Sequence, residues 1–189
     1  MNPYPSDAVI LAPLSGYTDI PYRLSAIRHG CRFAFTEMVD AGALVFDSGR
    51  TMEMLKRDKH EKWLGVQLIG SDQNVIEKSV KILNALDFNV IDFNLGCPVK
   101  KVMKKGEGAA LGANPLKAVE AFKAIIQNTS KIVTAKIRIR HPADPAPTIK
   151  LAEMLVTAGA KAICVHGRTV SQLYSGPVAY KIIAKIKQE

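Results

Sequence analysis

The sequence of 189 residues is poor in aromatic side chains (6%) and has a single tryptophan and three cysteines. No run approaches the roughly 18 consecutive apolar residues of a membrane-spanning helix, and no basic segment precedes an apolar stretch at the start. Cys31, Cys97 and Cys164 form no CxxC pair and have no histidine cluster beside them, which argues against a disulfide framework or a zinc site. We therefore expect a cytoplasmic protein without a membrane segment or a bound metal.

Acidic residues are scarce in one part of the chain. Residues 100–140 hold 10 basic and 2 acidic side chains, while the whole chain has a net charge of +9. Nearly all of the excess positive charge therefore lies in this stretch. Such a concentration indicates either a solvated helix face or a surface that faces phosphate groups, and the charge alone leaves both open.

Short apolar runs alternate with segments of helical periodicity. The runs are residues 8–12, 33–36, 64–69, 90–94, 132–139 and 161–165. A helix is predicted to start at Thr18 or Asp19, with Pro21 in its first turn, and to end at Gly30, and Asn114 and Pro115 predict the start of another. The apolar face of this other helix is expected to contain Leu116, Val119, Phe122 and Ile126. Strands that alternate with helices predict a parallel sheet with both faces buried.

Two architectures fit six strand and helix units. A doubly wound sheet usually has a glycine-rich turn after its first strand, and no GxGxxG is present there. A (β/α)8 TIM barrel has polar residues at the ends of many strands. Polar or unusual residues end nearly every predicted strand: Ala12-Pro13-Leu14-Ser15-Gly16, Thr36-Glu37-Met38, Gln67, Asn94-Leu95-Gly96-Cys97-Pro98, Lys136-Ile137-Arg138 and His166-Gly167-Arg168. The sequence therefore predicts an incomplete TIM barrel, since about six of eight units and fewer than roughly 250 residues are present.

Cys97 is the cysteine whose position suggests chemistry. It lies between Gly96 and Pro98, directly after a predicted strand, which places it on a tight loop. A thiol with an ordinary pKa of about 8.5 is mostly protonated at neutral pH and can act as an acid or as a nucleophile. Cys31 and Cys164 are interpreted as small core residues.

Lys136, Arg138 and Arg140 alternate with two isoleucines, which places the three cations on one face while the strand continues. Unpaired like charges inside a barrel are unfavourable, so either the strand has ended or an electron-rich ligand lies beside them. We expect a ligand at Lys136 and Arg138, and solvent at Arg140.

Three further side chains are candidates for ligand contacts. His166 and Arg168 follow an apolar run and fit a phosphate or ring contact, although a structural histidine is an equal alternative. Gln67 offers a donor and an acceptor for the edge of a heterocycle, or is buried and paired within the protein.

Seven motifs in this order resemble the tRNA-dihydrouridine synthases. They are Leu11-Ala12-Pro13-Leu14-Ser15-Gly16-Tyr17-Thr18-Asp19, Thr36-Glu37-Met38, Gly65-Val66-Gln67-Leu68, Asp92-Phe93-Asn94-Leu95-Gly96-Cys97-Pro98, Lys101-Val102 with Gly106-Glu107-Gly108-Ala109-Ala110-Leu111, Lys136-Ile137-Arg138 and Val165-His166-Gly167-Arg168-Thr169. The resemblance extends from Val9 to about Ile186. Its most specific part is the Asn-x-Gly-Cys-Pro loop with the lysine and Gly-Ala-Ala-Leu run that follows.

The resemblance implies an FMN-dependent barrel that reduces the C5–C6 bond of uridine in tRNA with NADPH. By matching position, the flavin would contact the backbone of Ala12, Pro13 and Leu14 and the side chains of Gln67, Lys136 and His166. Asn94 and Arg138 would address the uracil, Arg168 would reach the flavin or the substrate, and Cys97 would be the proton donor. Such a mechanism is chemically coherent, because the thiol can supply the proton that hydride addition requires.

The sequence departs from the family in two respects. Leu14 stands where methionine is usual, a change that conserves volume. The whole chain, 1–189, is expected to form only part of the barrel, without the last two units and the C-terminal helical domain that binds tRNA. The full-length protein is expected to be a monomer, whereas the 189-residue chain alone is expected to associate, to lack flavin and to be inactive.

Two alternative functions remain. A related flavin barrel could oxidise or reduce a free pyrimidine, although such an enzyme would not need a basic surface. A truncated chain could instead act only as an RNA-binding or interaction module.

Overall fold

Six parallel strands form one curled sheet in the computed structural model, which describes residues 3–46 and 49–189. The strands are β1 (Ile10–Leu11), β2 (Phe33–Asp40), β3 (Leu64–Ile69), β4 (Val90–Leu95), β5 (Ile132–Arg138) and β6 (Ile163–His166). Each strand pairs with the next one in the chain, in the order β1-β2-β3-β4-β5-β6. This sequential parallel order is that of a half-barrel and confirms the predicted incomplete TIM barrel.

Helices connect the strands. They are α1 (Ile20–Arg28), α2 (Ala41–Val45), α3 (Gly49–Met54), α4 (Gln73–Asn84), α5 (Lys100–Lys104), α6 (Ala109–Gly112), α7 (Pro115–Ile126), α8 (Ala146–Thr157) and α9 (Tyr180–Gln188). Asp19 and Asn114 cap α1 and α7 as the sequence predicts, since their side chains accept hydrogen bonds from backbone N–H groups of the first turns. The described helices include none that is long and apolar enough to cross a membrane.

The two faces of the sheet differ in chemistry. On the outer face, Val66, Leu68, Ile91 and Phe93 pack with the helices in one hydrophobic core. On the inner face the alternate positions of β3, β4 and β5 are polar and include Gln67, Asp92, Asn94, Thr134, Lys136 and Arg138. The alternation of the strands therefore directs the polar candidate residues away from the helices and into the curl of the sheet.

Two details of the elements differ from the prediction. Strand β2 continues to Asp40 through a register shift between Phe35 and Met38, so Thr36-Glu37-Met38 lies within the strand and not at its end. In α7, Leu116 is 69% exposed, whereas Phe122 faces the core as predicted and is joined there by Ala118, Ala121 and Ile125. Val119 and Ile126 are partly buried against the same core. Small alanines allow this face to approach the sheet closely, which an expectation based on large apolar residues misses.

Aromatic side chains cluster at the amino ends of β2 and β3. Trp63 lies edge-on to Tyr4, Phe33 and Phe35, with ring centroids 5.7, 5.3 and 5.4 Å apart. Edge-to-face pairs of this kind add roughly 0.5–1.5 kcal/mol each beyond the area that they bury. Much of the small aromatic content of the chain therefore stabilises the end of the sheet opposite the Cys97 loop.

The outer strands leave two edges open in the described part of the chain. β1 pairs only with β2, and β6 pairs only with β5. Unpaired backbone groups at a sheet edge favour association with another chain. We expect the 189-residue chain to sediment as dimers or larger species whose proportion rises with concentration. A monodisperse monomer in sedimentation velocity over a wide concentration range would contradict this.

Candidate active site

The register of the sheet brings together the candidate residues on three strands. Asn94 on β4 lies beside Lys136 on β5, and Arg138 lies beside His166 on β6. Gln67 on β3 is hydrogen-bonded to Asn94. Neighbouring positions in parallel strands lie about 4.8 Å apart, so these side chains share one surface inside the curl.

The Cys97 loop, residues 96–98, is held by hydrogen bonds on both sides. Asn94 Oδ1 accepts hydrogen bonds from the backbone N–H groups of Gly96 (3.1 Å) and Cys97 (2.9 Å). The N–H of Ala109, at the start of α6, donates to the carbonyl of Cys97. Gly108 makes this approach possible, because its φ is +58° and an added Cβ would lie 2.9 Å from the Cys97 carbonyl oxygen.

A chain of buried side-chain hydrogen bonds supports this loop. Gln67 Nε2 donates to Asp92 Oδ2 (2.7 Å), and Asn94 Nδ2 donates to Gln67 Oε1 (2.7 Å). Thr134 donates to the other carboxylate oxygen of Asp92 at 2.6 Å. We call Asp92, Gln67 and Asn94 the amide relay, since two amides connect a buried carboxylate to the Cys97 loop.

The side chain of Asp92 is deeply buried, and the residue is only 3% exposed. Burial raises the pKa of Asp92 above its usual value, and the hydrogen bonds from Gln67 and Thr134 and the positive charge of Lys136 oppose that shift. Because both carboxylate oxygens accept hydrogen bonds, the arrangement suits the ionised form.

The amide relay leaves little free capacity in two predicted ligand-binding residues. Asn94 uses its second N–H in a 3.3 Å contact with Met38 Sδ, so both ends of its amide are engaged. Gln67 is 1% exposed and retains one N–H and one lone pair beyond its side-chain bonds to Asp92 and Asn94. These two residues therefore form the floor of the site more than its open surface.

Lys136 differs from its neighbours. It is half-buried on the inner face and, across residues 3–46 and 49–189, its ammonium donates no hydrogen bond. Its positive charge acts on Asp92, Cys164 and His166. A half-buried cation without a hydrogen-bond acceptor could face an electron-rich group, and the ligand contact of Lys136 stays a prediction.

Arg138 is committed to the protein backbone. Its guanidinium donates to the carbonyls of Gly96 (2.9 Å), Thr169 (3.1 Å) and Leu173 (2.7 Å), and it lies over the ring of Tyr174 at 5.4 Å. Burial lowers the pKa of Arg138 from its usual high value. Arg138 thus connects the Cys97 loop to the loop that follows β6.

Arg140 was expected in solvent, and its side chain is exposed although it donates to the Gly112 carbonyl at 2.7 Å. The strand ends at Arg138, so Arg140 does not share the inner face with Lys136. A cavity of about 350 Å³ lies beside the two arginines, lined also by Leu95, Gly112 and Ser171. Within the described chain, Lys136 does not line this cavity.

His166 ends β6 and has a neutral ring at neutral pH. Burial and the nearby charges of Arg138, Lys136 and Arg168 lower its pKa to about 4. Arg168 Nη1 lies 3.4 Å from His166 Nε2, and Arg168 Nε donates to the Gly176 carbonyl. His166 can therefore accept or donate a hydrogen bond there without adding a fourth cation.

The low pKa of His166 predicts a pH effect. An unfolded histidine titrates near 6.5, so between pH 6.5 and about 4 the unfolded chain binds more protons than the folded one. The free energy of unfolding is therefore expected to fall as the pH falls through this range. NMR titration of the imidazole C–H signals should show a midpoint well below 6. A midpoint near 6.5, or the same pH dependence of unfolding in His166→Gln, would contradict this.

The remaining predicted residues lie at the same edge of the sheet. The segment after β1 consists of Ala12, Pro13 and Leu14. The backbone of Leu14 is hydrogen-bonded to Thr18 in the turn before α1. Ala12 and Pro13 are half-buried. The structure places these three residues across the curl from His166, at the other end of the strand order.

The prediction of Cys31 and Cys164 as core residues is wrong in part. Cys164 is exposed and Cys31 is half-buried. Cys164 lies beside Lys136 in the register of β5 and β6, so its side chain is on the inner face and not among the helices. Among the described residues, no group of three or more His, Cys, Asp or Glu side chains could hold a metal ion.

The basic stretch divides into parts with different roles. Lys100, Lys101 and Lys104 are exposed on α5, next to the Cys97 loop. Lys105 instead pairs with Asp40 at 2.6 Å and connects this segment to the end of β2. Lys131 donates to two backbone carbonyls. The three lysines of α5 therefore form the cationic rim of the site.

Sequence reasoning missed several residues that build the site. Asp92 begins the amide relay, Thr134 donates to its other carboxylate oxygen, and Tyr174 packs on Arg138. A charged residue between the apolar residues Ile91 and Phe93 is a signal that could have identified Asp92. Nothing in the local sequence marks Tyr174, because its contact depends on how the loop after β6 folds back.

Comparison with known proteins identifies relatives of nearly the whole chain. The sequence model of one family, described as dihydrouridine synthase, matches residues 10–189. A probable tRNA-dihydrouridine synthase of Treponema pallidum is 36% identical over 186 residues, covering 95% of this chain and 55% of the relative. tRNA-dihydrouridine synthase B of Pseudomonas aeruginosa is 34% identical over 180 residues, covering 95% of this chain and 54% of the relative. The chain thus spans about half the length of the curated relatives that it matches.

Proposed function

The chain belongs to the dihydrouridine synthase family, and on this premise we propose that its site serves the FMN-dependent reduction of uridine in tRNA to 5,6-dihydrouridine, with NADPH as reductant. The observation that carries the proposal is that a cation and a thiol lie on the same surface of the sheet. Lys136 has an ammonium that donates no hydrogen bond within the described chain, and the loop after the neighbouring strand carries the half-buried free thiol of Cys97. Such a cation suits an electron-rich ring, and a thiol can supply a proton.

The side chains and backbone groups of the inner face fit a flavin ring. Lys136 would face the pyrimidine edge of the ring, where negative charge develops on reduction, with Gln67 beneath it. Neutral His166 would contact the cofactor from β6, and the backbone of Ala12, Pro13 and Leu14 would lie along the ring from β1. Bound FMN would supply the hydride for C6 of uracil, and NADPH would restore its electrons.

Cys97 completes the reduction. A proton from its thiol would form the new C–H bond at C5 of uracil, and the thiolate would recover a proton from water. The hydrogen bonds that fix the loop use only the backbone of Cys97, so the thiol itself is left for the substrate. The general-acid role therefore requires no change in the loop.

The substrate side of the site is cationic. Arg168 is the proposed contact of the uracil or the flavin, and Asn94 and Arg138, which are engaged within the protein, would shape the uracil site by holding the loops around it. Lys100, Lys101 and Lys104 would meet RNA phosphates. A base in a folded tRNA must be extruded to reach such a site.

A chimera offers the direct test of this function. Residues 10–189 would replace the matching part of the Treponema pallidum relative, so that the remaining half comes from the relative. We expect the chimera to bind FMN and to form dihydrouridine in unmodified tRNA, with affinity for tRNA that falls steeply with salt. Reduction of free uracil and no effect on tRNA would favour a free-pyrimidine enzyme. Salt-sensitive tRNA binding without flavin binding would favour a binding module.

Lys136 and Arg140 form a matched pair for testing the cofactor site. In the chimera, Lys136→Ala is expected to weaken FMN binding or slow flavin reduction roughly ten- to hundredfold, since a charge-assisted hydrogen bond contributes about 1.5–3 kcal/mol. Arg140→Ala removes the same charge outside the inner face and should do neither. Fluorescence titration of FMN and stopped-flow reduction by NADPH measure both effects. Equal losses would show that only general surface charge matters.

A further inference from the structure

The amide relay begins at a carboxylate for which the proposed reaction has no use. Asp92 is buried beneath Gln67 and Thr134 and does not reach the Cys97 loop itself. A buried charge of this kind is weak evidence for stability, because the desolvation of the carboxylate offsets the contacts that it makes. Its place at one end of a hydrogen-bonded chain suggests another reason for its presence.

The two ends of the relay require one direction of hydrogen bonding. At one end, an ionised carboxylate only accepts, so Gln67 must turn its NH2 group toward Asp92 and its oxygen toward Asn94. At the other end, the backbone N–H groups of Gly96 and Cys97 only donate, so Asn94 must turn its oxygen toward them. The two requirements agree through the single bond from Asn94 Nδ2 to Gln67 Oε1.

We propose that Asp92 is a positioning residue, which orients the amides of Gln67 and Asn94 and thereby fixes the backbone of the Cys97 loop. A reversed Gln67 would place its NH2 group against that of Asn94, and Asn94 would lose its partner or turn away from the loop. The inference rests on the proposed function only where it assigns a role to the Cys97 thiol. The loop geometry can be tested without flavin or RNA.

Hydrogen exchange of the Gly96 and Cys97 backbone amides measures how firmly the amide relay holds the loop. Asp92→Leu removes the acceptor at similar volume, and we expect the Gly96 and Cys97 amides to exchange about tenfold faster, as the loss of one net hydrogen bond implies. Asp92→Asn can still offer an amide oxygen to Gln67 and should restore part of the protection. Thr134→Val removes the other hydrogen bond of the carboxylate and should leave these two amides as in the parent.

Alkylation of Cys97 provides a second measurement on the same chain. Tryptic peptide 82–100 contains Cys97 as its only cysteine, so the rate of its modification by iodoacetamide can be followed by mass spectrometry. We expect Asp92→Leu to change this rate severalfold and Thr134→Val to leave it unchanged. Gln67→Met breaks the next link and should have the same effect as Asp92→Leu, and the double variant should add nothing to either.

The outcomes separate the inference from the proposed function. Parent-like exchange and alkylation in both Asp92→Leu and Gln67→Met would overturn the inference, and so would additive effects in the double variant. If Asp92→Leu fails to fold, Asp92→Asn decides, because it removes the charge of the carboxylate at unchanged size: parent-like exchange and alkylation in Asp92→Asn would then overturn the inference. The Gly96 and Cys97 amides could exchange faster in Asp92→Leu while the chimera with the parent sequence forms no dihydrouridine in tRNA. That result would support the inference and contradict the proposed function.

Discussion

Cys97→Ala is expected to lower the rate of dihydrouridine formation about 10²–10⁴-fold, which is the usual contribution of a positioned proton donor. Alanine retains the backbone N–H that donates to Asn94 and the carbonyl that accepts from Ala109, so the loop should keep its position. FMN binding and flavin reduction by NADPH should be unaffected. Single-turnover assays of the chimera with pre-reduced flavin isolate the step in which the proton is used.

Two variants control for this result. Cys31→Ala removes a half-buried thiol that lies just before β2, at the opposite end of the strands from the loop, and should react with tRNA at the parent rate. Cys97→Ser retains the size of the side chain but is a much weaker acid than a thiol, so it should be nearly as slow as Cys97→Ala. A parent rate in Cys97→Ala would show that the proton comes from another group.

Glu61→Ala is expected to lower the free energy of unfolding by about 3–5 kcal/mol, because it leaves Arg23 as an unpaired buried charge. The side chains of both residues are almost completely buried, and Arg23 Nε lies 2.5 Å from Glu61 Oε1. Arg23 also donates to the carbonyls of Thr18 and Lys56. The pair thus joins α1 to the segment before β3 and holds the first unit against its neighbour.

An exposed pair provides the comparison. Lys81 and Glu77 are partners on the surface of α4, and Glu77→Ala should change stability by no more than about 0.5 kcal/mol. Urea unfolding followed by circular dichroism measures both variants under the same conditions. If Glu61→Ala and Glu77→Ala destabilise the chain equally, the buried pair has no special role.

The order of the strands could be predicted from the sequence because each unit carries its own signals. Apolar runs, helix caps and polar strand ends are local features, and six such units in a row have few ways to assemble. The length of β2 could not be predicted, because its continuation to Asp40 depends on pairing with β3 through a register shift. The short helices α5 and α6 were also missed, since their packing against the Cys97 loop is not local.

The sequence predicts candidate site residues but not the hydrogen bonds between them. The polar strand ends and the family resemblance select Gln67, Asn94 and Cys97 as candidates, and β3 and β4 bring the first two into hydrogen-bond contact. That these amides are turned inward, toward Asp92 and the loop, follows only from the register of the sheet. Ligand-facing and supporting residues look alike in a sequence, since both are polar residues at strand ends.

The sequential order of the sheet has a consequence for folding during synthesis. Each strand from β2 to β6 finds a pairing partner in the strand synthesised just before it, so its first pairing needs no later part of the chain. Domains generally fold as units while the chain leaves the ribosome at about 5–20 residues per second, and local contacts form fastest. The hydrogen bonds by which Asn94 and Gln67 support the Cys97 loop need only β3 and β4, so they can form before β5 has been made, whereas the bond from Arg138 to Gly96 follows later.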